Sequence, residues 1–180
     1  MTIPADAGYD IRSILSEMRD EYWQGLAEEE EEARELLECL IFTLGGEQYA
    51  FETRYASEVI RVPKLVRVPA VQEIIVGIFN LRGEITAAMD IRPLLGLPQP
   101  EFSGSGRILV VRSDSFATGI VAEAALGVQG LSLDSFEPAV TGSAAGRRFV
   151  RGHFNRESGL INLLDLEALL ASQEILVGEP

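Results

Sequence analysis

One cysteine, Cys39, and one histidine, His153, are all that the 180 residues hold of either type. A single thiol excludes an intrachain disulfide framework and any multi-cysteine metal site. It is also the usage expected of a reducing cytoplasm. A single imidazole excludes multi-histidine zinc sites and His-paired catalytic relays. With one Trp and three Met, no cofactor box of soft or stacking residues is expected. No apolar run approaches the length of a membrane span, and the N-terminus lacks the basic-then-apolar layout of a signal peptide. A soluble, unexported protein is therefore expected. Basic residues are also short: 15 Lys and Arg against 28 Asp and Glu leave a net charge of −13. That balance argues against nucleic acid and against direct insertion into, or attraction to, anionic membranes.

The acidity is concentrated at one end. Residues 1–40 carry 12 acids and 3 bases, so −9; residues 41–180 carry 16 acids and 12 bases, so −4. In the first segment Ile11, Ile14, Leu15, Met18 and Tyr22 recur at spacings of three and four, with Asp10 placed to cap them. This predicts an amphipathic helix in an acidic extension, residues 1–40. Glu28 to Glu32 form a solvated run within it, since like charges four apart repel. From Ile41 the period changes to two. "LIFTL", "YAFET", "EVIRV", "IIVGIFNL" and "EITAAMD" read as strands, and a short helix runs through Ile91, Leu94 and Leu95 to Gly96. "GLPQPEFSGSG", residues 96–106, is a linker by composition. Beyond it "RILVVRSDSFATGIVAE", "GVQGLSL", "RRFVRGHF" and "GLINLL" are strands, "TGSAAG" is a loop, and "DLEALLAS" closes as a helix.

The second run of strands repeats the first. At an offset of 67, Ile41–Ala50 lies on Ile108–Ala117, with Tyr49 over Phe116. At an offset of 75, Gly77–Asp90 lies on Gly152–Asp165, matching Gly77 to Gly152, Phe79 to Phe154, Asn80 to Asn155 and Asp90 to Asp165. Two windows in the same order indicate an internal duplication of a small β unit. The shared glycines, amides and carboxylates read as structural: close backbone approach, turn, helix cap. Arg82 and Gly83 are different, because the second copy has Glu157 and Ser158 there. The fold does not require an Arg-Gly pair, so Arg82 is read as a functional specialisation at a strand end.

The order "FTLGGEQYAFE", "ASEVIRV", "VGIFNLRGEITAAMDIRPLLG" and "LINLLDLEALL", spanning roughly residues 40 to 172, resembles the CheW-like coupling proteins of bacterial chemotaxis. The resemblance implies a mostly β fold of two pseudo-repeated five-stranded SH3-like barrels with short helices. With the extension at 1–40, the first barrel is expected at about 41–95, the second at about 107–172, and a tail at 173–180. It implies a non-enzymatic adaptor, without cofactor or metal, that joins a chemoreceptor's cytoplasmic signalling tip to the regulatory domain of a histidine kinase. The expected location is the cytoplasm, at membrane-associated receptor arrays. Carried over residue by residue, Arg82 is the receptor-contact arginine, flanked by Asn80 and Gly83, and Glu58 is the acidic residue beside the same surface. Val59, Val62 and Val66 could form an exposed apolar groove there for a receptor helix, although β-branched residues in such a stretch are more often core. Three features depart from the family pattern. Ala87 stands where a proline is usual, Ala122–Glu123 replaces an apolar-Asp pair, and the acidic extension is additional.

The competing reading is an SH3-like binding module with a different peptide or small-molecule ligand. It predicts a concave, aromatic-lined site, for which 7% aromatic content is thin material. Asp90 and Asp165 each precede a short helix, so they are expected to cap rather than to act as paired acid and base. Cys39 and His153 read as packing residues. No nucleophile-base pair, phosphate-cradling loop or metal cluster is legible in the sequence.

Overall fold

In the computed structural model, residues 19, 20, 23, 35–101, 104–140 and 148–172 are described. Of the acidic extension, Arg19, Asp20 and Trp23 are helical; the predicted stripe, the glutamate run, the 141–146 loop and the 173–180 tail lie outside the described residues. The expected helix does not reach Leu40. Instead β1 begins at Leu36 and runs to Leu44, alternating Cys39 and Ile41 to one side with Leu40, Phe42 and Leu44 to the other. It is flanked by strands on both edges, and that pairing outweighs local charge patterning.

After β1 the chain forms β2 (Glu47–Glu52), β3 (Ala56–Arg61), β4 (Ile75–Leu81), β5 (Glu84–Met89), β6 (Arg107–Arg112) and β7 (Ala117–Ala122). Then follow β8 (Ala124–Ser132), β9 (Phe136–Pro138), β10 (Val150–Arg156), β11 (Gly159–Leu164) and the helix α1 (Leu166–Leu170). Two sheets result, in the orders β8-β1-β2-β11-β10-β9 and β3-β6-β7-β5-β4. Each curls closed through the chain itself. In the first, β8 passes through one turn of 3-10 helix, Leu133–Ser135, into β9 on the opposite edge. In the second, the chain leaving β3 places Val66 against Ile78 of β4, with reciprocal backbone hydrogen bonds of 2.8 Å. Pro63 and Pro69 limit that closing pairing to a single bridge.

Strand pairing does not follow the expected one-barrel-per-half layout. Barrel A holds β1, β2 and β8 to β11; barrel B holds β3 to β7. Barrel B is therefore continuous from Ala56 to Ala122, whereas barrel A is assembled from both ends of the described chain. The reason lies in the duplication. The first hairpin of each copy, β1–β2 or β6–β7, pairs with strands of the other copy, so the copies exchange hairpins. Sequence similarity marks copies, not pairing partners, and so cannot see the exchange.

The copies themselves match closely at the 75-residue offset. Both second hairpins carry a bulge at the same place, between Ile75 and Gly77 and between Val150 and Gly152. Asp90 N–H donates to Ile74 O at 2.7 Å, as Asp165 N–H donates to Phe149 O at 2.8 Å. A Cβ on Gly77 would stand 3.0 Å from Val66 O, and one on Gly152 would stand 2.3 Å from Glu137 O. Both glycines are thus required by close backbone approach. The 67-residue match holds only for the first strand. Tyr49 pairs with Phe42, and the corresponding partner of Leu109 is Ile120, because the β6–β7 loop is longer; Phe116 lies in that loop.

Three apolar layers follow from strand alternation. Cys39, Ile41, Ala50, Leu131, Phe154, Ile161 and Leu163 fill barrel A. Phe79, Ala88, Ile108, Val110 and Val121 fill barrel B. Between them, Leu40, Phe42, Phe51, Met89, Leu109, Val111, Ile120, Leu164 and Leu169 belong to one shared core. β6 is buried on both faces for this reason, and that is why "ILVV" reads as an unbroken apolar run.

Candidate functional site

The β4–β5 hairpin ends in a two-residue loop, with Leu81 opposite Glu84 and only Arg82 and Gly83 between them. Both loop residues have positive φ, 53° for Arg82 and 95° for Gly83. This is the sign pattern of the tight turn whose twist suits a hairpin, and it normally selects Asn or Gly at the first position. Gly83 meets the demand without cost. Arg82 meets it against its own preference, at roughly 1 kcal/mol. Asn80 steadies the turn by accepting the Gly83 N–H at 2.7 Å. In the second copy Glu157 and Ser158 stay out of the left-handed region, and Gly159 absorbs the positive φ, 119°. Asn155 there hydrogen-bonds Glu137 instead of its own turn.

The strained arginine is presented outward. Its side chain is 81% exposed, and Nη2 donates to Glu58 Oε2 at 3.1 Å. Glu58 is 23% exposed and sits at the bulge that opens β3. One carboxylate oxygen against one guanidinium nitrogen leaves most of the fork's donors facing outward. An exposed pair of this kind contributes only about 0–1 kcal/mol to stability. Its effect is to aim the fork.

The structure thus brings Arg82, Gly83, Asn80 and Glu58 together at one barrel end. Val59, next to Glu58, is exposed on β3. Val62 is not: it packs with Ile60 and Leu65 against the barrel B interior, because the chain turns inward at Pro63 to place Leu65 over Gly77. A residue the sequence reading passed over is Ile85, 69% exposed directly across from Asn80. Val66, paired to Ile78, is exposed on the same outer face. Ile85 could have been found by counting from Arg82, since alternation through "EITAAM" sends Thr86 and Ala88 inward and Ile85 outward.

Asp90 and Asp165, the repeat-matched carboxylates, act differently. Asp165 caps α1 as expected, accepting the Ala168 N–H at 2.9 Å. Asp90 accepts the Arg92 N–H at 3.1 Å, but its main partner is the Arg92 guanidinium, at 2.6 to 3.1 Å. His153 is half-buried, with Nε2 at 3.2 Å from Glu137 Oε2.

Residues 38–174 match the family described as the CheW-like domain. The chain belongs to the CheW-like family. Among its relatives, the chemotaxis protein CheW of Bacillus subtilis (strain 168) is 27% identical over 132 residues, covering 73% of this chain and 85% of that protein. The protein FrzA of Myxococcus xanthus is 27% identical over 143 residues, covering 77% and 88%. The protein PilI of Pseudomonas aeruginosa is 27% identical over 117 residues, covering 64% and 66%. Among solved structures, the scaffolding protein TtCheW from Thermoanaerobacter tengcongensis shares the fold with a TM-score of 0.68. That match is 24% identical and covers 78% of this chain and 96% of the other. The CheW-like region begins two residues into β1 and ends past α1, so it holds every residue pair of the exchanged hairpins, β1–β2 and β6–β7.

Proposed function

We propose that this CheW-like protein is a non-enzymatic adaptor in chemotaxis-type signalling. In this reading it couples a chemoreceptor's cytoplasmic signalling tip to the regulatory domain of a histidine kinase, in the cytoplasm at receptor arrays. Arg82 is the receptor contact, with Glu58 aiming it, Asn80 and Gly83 holding the turn, and Ile85 and Val59 supplying apolar contact. Family membership supports the adaptor role. The observation that carries the site is that Arg82 occupies a backbone conformation glycine would fill more comfortably, yet is exposed and aimed by a carboxylate. Strain retained at an exposed side chain points to use by a partner. No helix among the described residues is long and apolar enough to cross a membrane, and the role requires none.

The test is a binding titration of wild type and Arg82→Glu against a purified receptor signalling tip and a purified kinase regulatory domain. Wild type is expected to bind both. The variant is expected to keep the kinase domain and lose receptor affinity by about 1–3 kcal/mol, the range for a charge-assisted contact. Equal receptor binding by both proteins would remove Arg82 from the site.

A further inference from the structure

The chain passes between barrels twice, and both passages are fastened by a glutamate. Leaving barrel A, Glu52 ends β2, accepts from Arg151 Nη1 at 2.6 Å and pairs with Arg54 Nε at 2.8 Å. Returning, Glu123 is the one residue between β7 in barrel B and β8 in barrel A. The second passage is the more heavily tied. Glu123 Oε1 accepts the Gly45 N–H at 2.8 Å, Oε2 accepts the Gly46 N–H at 3.4 Å, and the Glu123 N–H donates to Thr43 O at 3.0 Å. All three ties run to the β1–β2 hairpin of barrel A. From barrel B, Arg92 Nη1 stands 3.9 Å from Glu123 Oε1, and Arg92 is itself gripped by the buried Asp90. Gly106 lies so close that a Cβ would stand 2.2 Å from Ala122 O, and Leu97 packs on Gly45.

We propose that Asp90, Arg92 and Glu123 form a clasp that fixes the angle between the two barrels, positioning their outer surfaces relative to each other. The shared apolar core holds the barrels together, but apolar burial is non-directional. Charge-assisted hydrogen bonds to backbone amides are directional and resist rotation. The clasp's arginine is particular to the first copy, since Glu167 takes the place of Arg92 in the second. A device needed only to cap each short helix would recur in both copies; this one stands at a single crossing.

The test measures the barrel-to-barrel distance. Spin labels at Ser57→Cys in barrel B and Glu157→Cys in barrel A, both exposed sites, are placed in a Cys39→Ala background for pulsed dipolar spectroscopy. Glu123→Ala is expected to keep a cooperative melt while the distance distribution broadens about twofold. Hydrogen exchange at the Gly45 amide is expected to accelerate about tenfold, the scale of losing a charged acceptor. Should Glu123→Ala not fold, Glu123→Gln, which keeps an acceptor oxygen for Gly45 but removes the charge that faces Arg92, carries the distance reading. An unchanged distance distribution overturns the proposal, and faster Gly45 exchange beside it would show only the loss of a local hydrogen bond.

Discussion

Arg82 separates two quantities that usually move together. Replacing it with Gly relieves the positive φ and is expected to raise stability by about 0.5–1 kcal/mol, read as a higher urea midpoint at unchanged slope. The same substitution removes the guanidinium, so receptor affinity should fall. A gain in stability with a loss of binding is the signature of a residue retained for its side chain alone. Cys39 offers a second test at this scale. Burial, with Glu52 and Glu38 adding and Arg151 opposing, pushes its thiol up from 9.0 to about 12. In the unfolded chain the thiol ionises near its ordinary value while the folded chain still holds the proton. The unfolded state therefore binds fewer protons between pH 9 and 12, and stability falls as pH rises through that window. Below pH 9 the contribution is fully present. Cys39→Ala should lose this part of the slope, measured by denaturant titration at pH 8 and pH 10.5. Arg82 was legible as special because the repeat differs there; the strain on its backbone was not, since φ is set by the two-residue loop length.

At the scale of elements, the glycines of the bulged hairpins make a graded pair. Gly77→Ala puts a Cβ at 3.0 Å from both Leu65 Cβ and Val66 O, a squeeze that should loosen the Val66–Ile78 bridge and cost about 1–3 kcal/mol. Gly152→Ala meets Glu137 O at 2.3 Å and Phe136 ring carbons at 2.5 and 2.7 Å, and should cost more. Thermal melts of the two variants rank them, and equal midpoints would mean that the second hairpin shifts to make room. Most strands are readable from period-two patterning; the repeat carries over the bulged register of the second hairpins but not that of the first, where the β6–β7 loop is longer. Two failures have physical causes. The extension's helical pattern stops short of Leu36–Leu40, where Glu35 and Glu38 mask the alternation of β1. Val62 falls on the core side of the two uses its β-branched type allows, packing on the barrel B interior beside Pro63.

At the scale of the whole molecule, strand exchange was invisible to any local pattern, because hairpins β1–β2 and β6–β7 would look the same whichever barrel they completed. It makes a strong prediction. Cleaving the chain in the 96–106 linker leaves one piece with β1 to β5 and another with β6 to β11. Each piece lacks a hairpin that one of its barrels needs. Neither should fold alone, and an equimolar mixture should recover the native near-ultraviolet circular dichroism. Independent folding of either piece would contradict the pairing described above.

The exchange also suggests where such a chain comes from. A single copy of the repeat, trading its first hairpin with an identical neighbour, would make a symmetric pair of barrels with two equivalent tips. Joining the copies through residues 96–106 converts a bimolecular association into an intramolecular one, at an effective concentration on the order of millimolar. Dilution can then no longer separate the barrels. It also frees the two tips from being identical. One is now Arg82-Gly83 and the other Glu157-Ser158, so a molecule with the architecture of a dimer can offer a partner a single, unambiguous face.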